Sequence, residues 1–167
     1  NVNLFPQASS FVITVDHPLS THRGTIQPLK LPIFIKVPGR HNIDNALAAA
    51  AAALVYAADS KAIKQGLSTF SGVSRRLEWH RLAGFSILDD TALNPASFDA
   101  VFESVTAIPY RRLRIIYALR GNRSAAVNRA NALTLAWWAK RLRFHDFLTT
   151  CSHDYVEPLD RVSPEEE

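Results

Sequence analysis

The chain has 167 residues, 47% of them hydrophobic and 20% charged, enough for one ordinary core or two small ones. Nineteen Lys and Arg against 15 Asp and Glu give a net charge of +4, and this composition excludes disordered, collagen-like and disulfide-scaffold chains. The longest apolar run, residues 46–58, is Ala-rich and too short to cross a hydrocarbon layer of about 30 Å.

The single cysteine, Cys151, has no partner for an internal disulfide, and no apolar leader opens the chain, so a reducing cytoplasm is expected. With no Met anywhere and Asn1 first, the chain is expected to be a fragment or a trimmed product. Residues 10–15 and 33–37, rich in Val, Ile, Thr and Phe, are predicted strands, with residues 16–31 a loop or further short strands. The pattern breaks at Pro38-Gly39-Arg40-His41-Asn42, and residues 43–58 form a predicted Ala-dominated helix. A second helix, capped by Asp59 or Ser60, runs to about Phe70. Ser71-Gly72-Val73-Ser74 then marks the expected domain boundary.

Beyond it the pattern is β-β-α-β-α-β. A hairpin pairs residues 77–82 with 85–88 through Ala83-Gly84. It is followed by a helix at 95–107, a strand at 113–119, a helix at 125–142 and a strand at 144–150. Pro95 suits a first helical turn and Ser124 an N-cap. Helices of this length between apolar strands imply parallel pairing, so the fold class is α/β with a mostly parallel sheet. In such a sheet the loops leaving the strand ends gather on one edge, the usual place for a ligand. Asp90, Arg123 and His153 are accordingly expected around one crevice.

Three loops leave those ends. The first carries Asp89, Asp90 and Asn94, and its two carboxylates, Asp89 and Asp90, either cap the helix at Pro95 or serve a ligand. The second carries Arg120, Asn122 and Arg123, two cations flanking Gly121 in a pattern suited to phosphate or carboxylate. The third carries Cys151, His153 and Asp154, where Cys151 reads as a small apolar residue and not as a nucleophile. His41, Asn42 and Asn45 open the Ala-rich helix, where Asn42 alone would serve as an N-cap. Of Trp137 and Trp138, one must point away from the core. The histidines show no metal-ligand spacing, so no metal site is expected. Neither an RNA-binding motif nor a zinc-finger spacing accompanies the Arg clusters, and no nucleic-acid or membrane partner is expected.

Four ordered segments resemble the Mur ligase family, the ATP-dependent amide-forming enzymes that include the folylpolyglutamate and cyanophycin synthetases. Residues 38–49 are similar to its Gly-x-His-Asn-x-x-Asn-Ala signature. Ile63-Lys64-Gln65-Gly66-Leu67 continues the match, and Phe70-Ser71-Gly72-Val73-Ser74-Arg75-Arg76-Leu77-Glu78 resembles its Phe-x-Gly-Val-x-Gly-Arg-x-Glu link. Leu88-Asp89-Asp90-Thr91-Ala92-Leu93-Asn94-Pro95 is similar to its Asp-Asp-Tyr-Ala-His-Asn-Pro. The resemblance implies that residues 1–74 end a central α/β ATPase domain and that residues 75–167 form most of a Rossmann-like C-terminal domain. It further implies an acyl-phosphate reaction with ATP and Mg2+ in the full-length parent, in peptidoglycan synthesis or in polyamide or folate metabolism.

By the same resemblance, His41, Asn42, Asn45, Arg76, Asp89, Asp90 and Asn94 face the nucleotide. Arg120, Asn122, Arg123, His153, Asp154 and Glu157 face an incoming amino-acid or peptide substrate. The family's Gly-x-x-x-x-Gly-Lys-Ser/Thr phosphate loop does not occur in this chain, where no Gly precedes a Lys. The fragment alone is therefore expected to be inactive and to hold no cofactor strongly, and the missing N-terminal region of the same polypeptide is its expected partner. Leu93 and Thr91 depart from the family's His and Tyr, and the changes at Leu93 and Tyr155 keep open a non-catalytic binding or regulatory module on the same scaffold.

Overall fold

The structure, a computed structural model, describes residues 2–119 and 124–151. Its contacts divide the chain into two compact units: Asn1–Thr91 with Glu103–Ile108, and Ala92–Phe102 with the chain from Pro109 onward.

In the first unit, β1 (Val2–Phe5), β2 (Ala8–Val15), β3 (Leu19–Thr21), β4 (Gly24–Ile26) and β5 (Leu29–Ile35) precede α1 (Arg40–Val55) and α2 (Ser60–Thr69). β1, β2 and β5 form an antiparallel sheet in that order, while β3 and β4 pair as a hairpin within the segment read as loop or short strands. β1 lies outside the predicted strands and forms by pairing Val2–Phe5 against the β2 edge. Period-two alternation puts Phe11 and Ile13 of β2, and Leu31, Ile33 and Ile35 of β5, on one face. That face packs on Ile43, Ala46, Ala50 and Leu54 of α1 and Ile63 of α2. Their three- and four-residue spacing is the buried stripe of an amphipathic helix. Ser9, fully buried on the same face, donates its hydroxyl to the Val37 carbonyl at 3.2 Å.

The helix α1 starts earlier than its Ala run. Its N-cap is Gly39, at φ +93°, and no side chain caps it. Asn42 lies in the first turn and donates its amide to the Pro38 carbonyl at 2.7 Å, so it is not the cap that its residue type suggested. α2 follows its expectation, with Asp59 accepting from the Ala62 amide at 2.7 Å. β6 (Glu78–Leu82) and β7 (Phe85–Asp89) complete the unit as an antiparallel hairpin turning at Gly84, φ +87°.

In the second unit, α3 (Pro95–Thr106, its last residues grouping with the first unit) leads to β8 (Arg114–Leu119), α4 (Ala125–Leu142) and β9 (Asp146–Cys151). β8 and β9 are parallel, in register from Arg114↔Asp146 to Leu119↔Cys151, joined through α4 as the α/β reading requires. Among the described residues no ladder joins β7 to β8, so the strands past Arg76 do not form the one sheet of common orientation expected.

The core of this unit is aromatic. Phe102 contacts Trp138 and Phe144 at centroid separations of 5.6 and 5.4 Å, and Phe98 meets Tyr117 edge-on at 5.4 Å. Trp138, 3% exposed, donates its indole N–H to Asp99 at 2.8 Å, whereas neighbouring Trp137 is 54% exposed beneath Arg141. Ser124 caps α4 through the Val127 amide, and Arg143 ends it in the left-handed region at φ +52°. No helix among the described residues is long and apolar enough to cross a membrane.

Trp138→Ala should cost about 3–5 kcal/mol by cavity formation, and Trp137→Ala less than about 1 kcal/mol, when both are measured by urea unfolding.

Candidate functional site

The link between α2 and the hairpin is a backbone that side chains hold in place. Gly72 stands at φ +102°, and Arg75 and Leu77, neither a glycine, stand at φ +58° and +49°. Such non-glycine conformations cost on the order of 1–3 kcal/mol each and persist only where neighbours over-determine them. Here they do. The Leu77 amide donates to Asp90 Oδ2 at 2.9 Å, and the Thr91 amide and hydroxyl both reach the Arg75 carbonyl, at 3.0 and 3.2 Å. Glu78 Oε2 accepts from the Ser74 hydroxyl at 3.0 Å and the Arg75 amide at 2.8 Å. The Arg76 guanidinium donates to the Thr91 carbonyl at 3.1 Å, and Arg75 lies 3.5 Å from Asp89.

This lock sets Asp90 beside His41, Arg76 and Asp89. Burial pushes the Asp90 carboxyl above its ordinary 3.8, against the opposing pull of the Leu77 amide, Arg76 and His41. Burial likewise holds His41 below 6.5, partly offset by Asp90, Asp44 and Glu103. The His41 Nδ1 is buried without a hydrogen-bond partner. Gly39 permits this packing: a Cβ there would stand 2.5 Å from Ser104 Oγ and 2.7 Å from His41 Cε1. Glu78 is held below 4.5 by the Arg75 amide and then the Ser74 hydroxyl.

Of the sequence-predicted nucleotide residues, His41, Arg76, Asp89 and Asp90 thus come together, with Asn42 one position on along α1. Asn45 donates to Asn42 Oδ1 at 3.4 Å. Asn94 belongs to the other unit and caps α3, its Oδ1 accepting from the Ser97 amide at 2.9 Å and hydroxyl at 3.0 Å. Asp89 and Asp90 therefore do not cap that helix: Asn94 immediately precedes Pro95, and both carboxylates are drawn to the link instead. Arg120, Asn122, Arg123, His153, Asp154 and Glu157 lie outside the described residues.

Sequence spacing also passed over a grouping that only the hairpin register creates. Glu78 and Asp89 are direct cross-strand partners, and with His80 their ligand atoms lie within 4.8 Å of one another. Ser74, Arg75 and His80 already engage these carboxylates, which makes the group an exposed ion-pair network.

Because its native-state pKa is lowered, His41 adds stability in full above pH 6.5, and that stability is lost as pH falls through the depressed value. Asp90 runs the other way: its raised pKa favours folding below 3.8, a contribution lost as pH rises through the raised value. Urea midpoints measured between about pH 7.5 and 5.5 should fall on acidification, and His41→Gln should flatten that fall.

No family model matches the chain. It is 37% identical over 86 residues to the UDP-N-acetylmuramate–L-alanine ligase of Lachnospira eligens, covering 51% of this chain and 19% of the relative. It is 34% identical over 142 residues to the enzyme of that name from Mesorhizobium japonicum, covering 77% of this chain and 29% of the relative. The chain thus spans less than a third of the length of these curated relatives. Among solved structures, MurF from Acinetobacter baumannii superposes with a TM-score of 0.57 at 20% identity, over 91% of this chain and 41% of that one, a likeness of fold. The curated relatives and the common fold agree: the chain is similar to the Mur ligase family in sequence and in fold.

Proposed function

We propose that this chain is the C-terminal portion of an ATP-dependent amide-forming ligase, with residues 1–74 ending a central domain and residues 75–167 forming most of a C-terminal domain. In this reading Asn42 and Asn45 face the adenine, Arg76 the phosphates and Asp90 the ribose. Arg120, Asn122, Arg123, His153, Asp154 and Glu157 face the incoming amino acid. The observation that carries it is the Asp90-centred cluster, which gathers family-signature residues from α1, the link and the end of β7. Arg76 spends one guanidinium nitrogen on the Thr91 carbonyl, leaving other N–H groups for an anion. Asp90 engages the Leu77 amide through Oδ2 and keeps Oδ1 for a hydroxyl donor.

The proposed reaction is two displacements. A substrate carboxylate takes the γ-phosphoryl group of ATP and ADP leaves; an amine then attacks the acyl carbon and phosphate leaves. This chain's share is to orient the nucleotide and to place positive charge near the transferring group. The relatives' names point to UDP-N-acetylmuramate as the carboxylate donor and L-alanine as the amine. Magnesium does not fit the described residues. Asp89 is paired with Arg75, Asp90 is bonded to a backbone amide, and no oxygen-rich cage is left for a cation that demands octahedral geometry. No step is assigned to it here. We assign the exposed apolar residues Leu47 and Val55 of α1 to contact with a further region of the same polypeptide.

The full-length parent should release phosphate from ATP only when UDP-N-acetylmuramate and L-alanine are both present. Arg76→Ala should lower kcat/KM for ATP about 100-fold, in line with the loss of a charge-assisted contact to the transferring phosphates. Nucleotide binding without phosphate release would favour the non-catalytic module, a reading consistent with Leu93, whose carbonyl accepts the Asn131 amide at 3.4 Å as a structural contact.

A further inference from the structure

A cleft of about 730 Å³ lies within the first unit, on the side of the sheet opposite α1. Ile33 and Ile35 of β5 face the core, so strand alternation turns Phe34 and Lys36 outward into this cleft. Its other wall is the link, with Gly72, Arg76 and Leu77, followed by Glu78 and Trp79 of β6. Gln7, in the turn between β1 and β2, closes one end. With its amide oriented so that the carbonyl oxygen faces β6, it accepts from Trp79 Nε1 at 3.2 Å and from Arg81 Nη2 at 2.8 Å.

The charge in the cleft is unbalanced. Glu78 is its only carboxylate, and one oxygen of that carboxylate already takes the Ser74 hydroxyl and the Arg75 amide. Lys36 has no ion-pair partner among the described residues, and Arg76, bonded to the Thr91 carbonyl, has its nearby carboxylate, Asp90, outside the lining of the cleft. Two cations therefore face a space whose remaining lining includes aromatic Phe34 and Trp79.

We infer that this cleft binds a small organic anion with a planar apolar body. Its phosphate or carboxylate lies between Lys36 and Arg76, and its ring lies against Phe34 and Trp79. The guanidinium fork and the ammonium supply charge-assisted bonds to an anion, and the aromatic faces favour a flat, apolar group over a bare ion. Arg76 is common to this site and to the phosphate contact proposed above, whereas Lys36, Phe34 and Trp79 belong to none of the nucleotide contacts, so their part in binding is separable from the ligase reading.

The test uses the 167-residue chain, with phenyl phosphate, benzoate and inorganic phosphate as probes, followed through the Trp79 indole N–H resonance. Phenyl phosphate or benzoate should move that resonance saturably with a Kd near or below about 1 mM, whichever binds more tightly identifying the anionic group. Inorganic phosphate should bind about tenfold more weakly, and Lys36→Gln should weaken the aromatic anions about tenfold. Asn45→Ala, which touches only the proposed adenine contacts, should leave this binding unchanged. Absence of a saturable shift with either aromatic probe, equal affinity for inorganic phosphate, or indifference to Lys36→Gln in a variant that retains the wild-type unfolding midpoint would each overturn the inference.

Discussion

The first unit's candidate site depends on one hydrogen bond, from the Leu77 amide to the Asp90 carboxylate. It joins a strained link to the end of β7 and does so from a partly buried position, where an unpaired carboxylate would be costly. Because Asp90 is tied down, Thr91 can close on the Arg75 carbonyl, Arg76 can reach back to Thr91, and the left-handed Arg75 and Leu77 are retained. Without this tie the Leu77 amide keeps no side-chain partner among the described residues, and Arg75 is left to Glu78 and Thr91. The proposed phosphate contact of Arg76 and the cleft lined by the same residue are both consequences of where the link is held.

Much of the fold was legible in the sequence, because its signals were local. The Ala125–Leu142 helix with its Ser124 cap, the Asp59 cap and the Ala83-Gly84 hairpin follow from spacing and turn chemistry within a few residues. Trp137 and Trp138 divide between surface and core as adjacent helical positions must. β1 was not legible, since its alternation spans only a few residues, all four of the strand's own exposed, and it is held by pairing with β2. The sequence places the start of α1 three residues late because Pro38-Gly39 reads as a break; Gly39 is instead the N-cap and makes room for His41 and Ser104.

The candidate site divides along the same line. Residue identities at His41, Arg76, Asp89 and Asp90 were readable from motif order, and their proximity is a property of the fold. Their states were not readable. That Asp90 spends an oxygen on a backbone amide, that Asp89 answers Arg75, and that Asn94 serves α3 as its cap all depend on the path of residues 72–77, which rests on positive φ at non-glycine residues. Propensity gives no warning of such angles at Arg or Leu. Lys36 and Trp79 went unnoticed for a related reason: each looks like an ordinary strand residue until the link folds back and gives them a common cleft.

Amide hydrogen exchange across the link tests this dependence most directly. The account predicts that the Leu77 and Thr91 amides are protected in the native chain and lose protection together in Asp90→Ala, while the Ala62 amide under Asp59 is unaffected. Retained protection at Leu77 and Thr91 in that variant would contradict it, because the strained link would then be held by something other than the Asp90 carboxylate.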